Sequence, residues 1–162
     1  MSGLSSLRVI AALGTLSCAA SFHLAPRVED QSAKEFIVAP TKARVYIFRE
    51  HNWLFGSATV LPITVDGLSV GGNANGTYLA VEIAPGTHTI LSQTGESLAR
   101  VAIDASAGQI IFVEQRNHLG LLGPRVSLAQ VDAPRGKAGV LRGKLAARIT
   151  LGTGSSQFAG DR

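Results

Sequence analysis

Between Thr41 and Val131 the chain is a run of short apolar stretches separated by glycine- and proline-bearing dipeptides. That spacing restricts its fold more than any other feature. In "KARVYIFRE", Val45 and Ile47 fall on one face and Tyr46 and Phe48 on the other, which predicts a strand covered on both sides. "ATVLPITVDG" contains Pro62, which cannot donate to a ladder, so this strand is expected at a sheet edge or with a bulge. Asp66-Gly67 is a two-residue hairpin signal, and it makes "LSV" a return strand closed by Gly71-Gly72. "GTYLAVEIA" ends at Pro85-Gly86, where proline presets one turn residue and glycine accepts positive φ at the next. "THTILSQ", "LARVAIDA", "QIIFVEQ" and "RVSLAQVD" follow, with Ala107-Gly108 turning the chain into "QIIFVEQ". That segment is the most hydrophobic and is expected at the sheet centre.

Seven to eight short strands, roughly eight to twelve residues apart, predict an all-β domain, an antiparallel β-sandwich, over residues 42–148. No long helical period precedes Ala133. "GKAGVLRGKLAARI" carries Val140, Leu141 and Leu145 at helical spacing and predicts a short C-terminal helix, although Gly139 and Gly143 oppose it. Residues 21–41 are polar, mixed in charge and interrupted by Pro26 and Pro40, which predicts a tether. Residues 149–162 are expected to form a disordered tail.

The amino terminus predicts export. Arg8 is its one charge, an apolar run extends from Val9 to Leu16, and small residues follow at Ser17, Cys18, Ala19 and Ala20. The apolar run is shorter than the roughly 20 residues of a membrane span, so residues 1–20 are expected to be a signal peptide. Cys18 is the only cysteine. Two readings stand: cleavage before Cys18 with acylation of its thiol, or cleavage after Ala19 or Ala20.

With hydrophobic residues at 46% and charged residues at 16%, the chain can bury a core. Residues 18–162 hold 14 Lys+Arg against 11 Asp+Glu, several of the cations lying between Arg135 and Arg148. A nucleic-acid binder would join such charge to a recognition helix or an aromatic platform, and neither is legible. A solvated face or a contact with anionic lipid fits the charge instead.

Catalytic patterns are equally lacking. His51, His88 and Glu114 could meet in space, but no paired metal-ligand spacing is present. No serine occupies a nucleophile elbow, and "GTGSS" at 152–156 falls in the expected tail. Glu50, Glu82, Glu96 and Glu114 sit singly near strand ends and read as solvated charges. No metal or cofactor is therefore expected. The best functional patch is "REHNWLFG", where Arg49, His51, Trp53 and Phe55 form a loop that could face a partner. Alternatively, Trp53 or Phe55 folds back to plug the sandwich end. Asp66, Gly67, Gly71, Gly72, Pro85 and Gly86 read as structural turns, because a phosphate loop needs its glycines just before a helix.

The stretch "VDGLSVGGNANGTYLAVEIAPGTHTI" resembles the PEGA-type β-sandwich pattern. Together with "ARVYIFRE", "AGQIIFVEQ" and "GVLRGKLA", it resembles the prokaryotic domain of unknown function 2846 (DUF2846), over about residues 42 to 146. The resemblance implies an envelope protein, in many members one with a lipoprotein signal, and no catalytic set. Thr15 and Leu16 depart from the usual order before a lipidated cysteine. The expected function is non-catalytic: a sandwich offering loops or edge strands to an envelope protein or cell-wall component. A small-ligand or peptidoglycan-binding module and an unrecognised hydrolase are the alternatives.

Overall fold

The computed structural model describes residues 22–53 and 59–147. Helix α1 (Arg27–Ala33) is followed by eight strands: β1 (Ala43–Arg49), β2 (Leu61–Val65), β3 (Leu68–Asn73), β4 (Thr77–Ile83), β5 (Gly86–Gln93), β6 (Leu98–Ala105), β7 (Ile110–Leu119) and β8 (Pro124–Val131). Helix α2 (Ala133–Arg142) and a short strand β9 (Lys144–Leu145) complete it. One sheet has the order β8-β7-β1-β4-β9 and the other β3-β2-β5-β6. Most pairs are antiparallel, but β7 runs parallel to β1 and β9 parallel to β4. The molecule is a β-sandwich with a layer of helices on one face.

Alternation in β1 explains the layering. Val45 and Ile47 point between the sheets, where Ile63, Leu79, Ile90, Ile103 and Val113 join them in one buried cluster. Tyr46 and Phe48 point the other way and pack with Tyr78, Phe112, Ala33 and Val140 under the helices. The Tyr46 and Phe112 rings stack with centroids 5.4 Å apart, and Phe36 meets Tyr46 at 5.3 Å. Such ring pairs contribute about 0.5–1.5 kcal/mol each beyond area burial. β1 therefore holds the sheet centre, and β7 lies beside it. Hydrophobicity alone does not separate these two strands, because both are covered on both faces.

The stretch 21–41, expected as a tether, contains a packed element. Pro26 stands at the N-cap of α1, Ala33 is buried, and the chain before the helix pairs with residues near β9. Tyr46 Oη donates to Ala33 O at 2.5 Å. Asp30 Oδ1 accepts from Tyr78 Oη and from Leu145 N, both at 2.8 Å. Seven residues with one buried side chain give no readable period, and proline before a first turn favours a helix as readily as it breaks one.

Helix α2 begins at Asp132, whose Oδ1 accepts from Arg135 N at 2.9 Å, a standard N-cap bond. Its glycines do not weaken it in this setting. Gly136 lies over Phe112, Gly139 over Phe48, and Gly143, just past the helix, over Tyr78. These rings belong to β7, β1 and β4, three neighbours in the sheet. Seven residues of helix advance about 10.5 Å, and three strands span about 9.6 Å. The helix thus crosses the strands nearly at right angles, with one glycine above each aromatic ring.

The turn residues divide into turns and ladder positions. Asp66 and Gly67 both have positive φ, 51° and 79°, as the β2–β3 hairpin requires. Gly86 (φ 140°) opens β5 after Pro85, where the chain passes from one sheet to the other. Gly71 and Gly72 lie inside β3 rather than closing it. β2 is interior, flanked by β3 and β5, so Pro62 is not on an edge strand. The ladder shifts between Ile63 and Thr64, and β5 pairs only with Thr64 and Val65, which leaves Pro62 without a bond to supply there.

His88 ties the same hairpin to the β4–β5 corner. Its Nδ1 lies 2.6 Å from Asp66 Oδ2 and its Nε2 lies 2.8 Å from Ala84 O. Both ring nitrogens face acceptors, so only the protonated ring satisfies both. The bond to Asp66 raises the His88 pKa, and the same bond lowers that of Asp66.

Candidate functional site

The registers gather one set of loops at one end of the sandwich, here called the apical end. Arg49, the last residue of β1, pairs with Thr77, the first of β4. Parallel β7 continues past that level from Glu114 to Leu119. The β5–β6 turn lies beside it, since Val126 N donates to Ser97 Oγ at 2.8 Å. The Asp66-Gly67 hairpin stands at the opposite end of β2.

Arg49 was expected in a partner-facing loop. It is only 2% exposed, because the alternation of β1 turns it inward with Val45 and Ile47. Its Nη1 donates to Thr59 O at 2.6 Å and to Asn73 O at 3.3 Å, while Asn73 Nδ2 donates to Ile47 O at 2.9 Å. Burial lowers the Arg49 pKa. Arg49 closes the apical end of the inter-sheet core. The adjoining loop is held by Asn75, whose Oδ1 accepts from Asn52 N at 2.8 Å and whose Nδ2 donates to Asn52 O at 3.1 Å.

Glu114 is also buried, at 2% exposure, and is not the solvated charge expected from sequence. Two arginines clamp it. Arg116 donates from Nε and Nη2 at 2.8 and 2.7 Å, and Arg135 of α2 from Nε and Nη2 at 2.9 and 2.6 Å. Burial alone would push this carboxyl up, but the bonds from Arg135 and Arg116 hold it below the usual carboxylate range. Arg135 also lies 3.5 Å from Glu50, which accepts from Arg142 at 2.5 Å. The network locks α2 to the apical end of the sheet. A carboxylate held ionised in this way is a poor proton donor. Glu82 pairs with Arg44, and Glu96 accepts from Leu122 N.

Above this network opens a cleft of about 490 Å³, lined by Glu50, His51, Trp53, Arg116, His118 and Arg135 among others. His51 and Glu114 both reach it, whereas His88 is bound to Asp66 at the other end. Among the described residues no group of three His, Cys, Asp or Glu side chains is placed to hold a metal ion. Trp53 does not fold back: it is 86% exposed. Phe55 and Cys18 lie outside the described residues.

Sequence reasoning passed over the β7–β8 hairpin. Leu119, Leu121 and Leu122 are 71%, 99% and 94% exposed. Three leucines in the glycine-bounded loop "HLGLLG" were the available signal. With Trp53, Val60 and Leu98, they bring six of the eleven exposed large apolar side chains among the described residues to the apical end.

A family model described as a protein of unknown function, DUF2846, matches residues 39–125. The chain belongs to the DUF2846 family. The matched span of this DUF2846 chain runs from just before β1 to the start of β8, so it holds β1 to β7 and the apical leucines but not most of β8, α2 with Arg135, or β9. No curated protein matches the chain. No helix among the described residues is long and apolar enough to cross a membrane.

Proposed function

We propose that this protein is a non-catalytic binding domain of the prokaryotic cell envelope that presents its apical end to a partner there. The observation that carries this reading is the gathering of exposed apolar side chains at that end, above a core that is already closed. Monomeric surfaces rarely concentrate large apolar groups unless something covers them. In this reading the amino-terminal segment exports the chain, and Cys18, once acylated, holds it at the membrane on the periplasmic side.

A small-ligand or peptidoglycan module is the second reading, favoured by the cleft beside Trp53. It is the weaker of the two because Arg116 and Arg135 are engaged with Glu114. A photocrosslinking residue at Leu121, compared with one at Leu68, tests the first. Leu68 is 74% exposed at the opposite end. Irradiation in the native envelope is expected to give a discrete adduct from position 121 and none from 68. Equal labelling from both, or none from 121, refutes the reading.

A further inference from the structure

We infer that the partner of the apical end is an anionic membrane surface, which the β7–β8 tip enters with Leu121 and Leu122. The inference rests on the reading above and names its partner. The tip is convex. Gly120 N donates to Gly123 O at 3.0 Å, and the tight loop this closes pushes two adjacent leucines out at 99% and 94% exposure. A convex apolar wedge fits a yielding surface without needing a matching groove.

Charge points the same way. Arg100 on β6 and Arg125 on β8 are exposed on the strands behind the tip, whereas Arg116 on β7 is held by Glu114. Arg125, the second residue of β8, follows Leu122 by three residues. With the leucines at the acyl boundary, about 5–10 Å below the headgroups, this guanidinium lies at phosphate level. Of the nearby carboxylates, Glu114 is buried under its arginines, while Glu96, which accepts from Leu122 N, sets one negative charge against Arg100 and Arg125. Leu98, the first residue of β6 beside the hairpin, is 58% exposed and extends the apolar surface.

The test uses the full chain with Cys18→Ser and an environment-sensitive dye on Leu122→Cys, set against the same dye on Leu68→Cys. The vesicles are an equimolar mixture of phosphatidylglycerol and phosphatidylcholine, or phosphatidylcholine alone. The dye at 122 is expected to move to an apolar environment with anionic vesicles, and the dye at 68 to stay in water. Arg100→Gln with Arg125→Gln is expected to weaken binding about 30-fold, about fivefold for each charge. Leu121→Ser with its neighbour intact should reduce it several-fold. If the dye at 122 stays in water while the crosslinker at 121 captures a protein, the lipid inference falls and the apical reading stands. If neither responds, both fall. A response at 68 equal to that at 122, or indifference to vesicle charge, overturns the inference as well.

Discussion

Replacing Gly139 by alanine is expected to destabilise the fold by about 2 kcal/mol, although alanine is the better helix former by about 1 kcal/mol. The reason is contact, not propensity. A Cβ on Gly139 would stand 2.2 Å from Cε2 and 2.4 Å from Cδ2 of Phe48. On Gly136 it would stand 2.1 Å from Cγ of Phe112. Both rings are almost fully buried, so the helix must rise or a ring must leave its place. Raising α2 relieves both clashes together. The double variant should therefore lose about 3 kcal/mol, less than the sum of the singles. Urea unfolding midpoints measure this. Phe48→Leu is expected to restore part of the loss in Gly139→Ala and none of the loss in Gly136→Ala. Stabilisation by either alanine would show that the helix does not sit against the sheet as described.

Glu114→Gln is expected to lose about 2–3 kcal/mol near neutral pH. Breaking a buried ion pair leaves a charge without its counter-ion, which costs about 3–5 kcal/mol when nothing else solvates it. Arg116 and Arg135 have side chains 56% and 41% exposed, so water recovers some of that. The pH dependence fixes the sign. The Glu114 carboxyl is held below its ordinary value, so its contribution is present above about pH 4.3, the unfolded value. It is lost as pH falls through the lowered folded value. Wild type and Glu114→Gln should therefore converge in stability on acidification. A gap that stays constant below pH 4 would mean that the ionised carboxylate is not what the arginines hold.

Much of the frame was legible. Alternation in "KARVYIFRE", the Asp66-Gly67 hairpin and the Pro85-Gly86 corner act within a few residues, so local sequence reports them directly. Features that depend on a distant partner were not legible. Gly136 and Gly139 oppose a helix until Phe112 and Phe48 are seen beneath them. Arg49 reads as a loop charge until the alternation of β1 is carried one residue further, into the core. Glu114 stands in an apolar strand, and its arginines come from two residues and twenty-one residues away. Of the candidate surface, Trp53 was legible as a loop residue; its exposure was not, because that depends on how the loop is pinned by Asn75. The leucines of "HLGLLG" were passed over because loop leucines carry no period.

Trp53 is the only tryptophan in the chain, so its fluorescence reports on the apical end alone. Iodide quenching of the full chain, before and after adding native envelope membranes, tests the claim that this end is open and offered to a partner. Free quenching in solution, close to that of a blocked tryptophan, with protection on adding membranes is the expected result. Shielding of Trp53 in the free protein, or quenching unchanged by membranes, would contradict it.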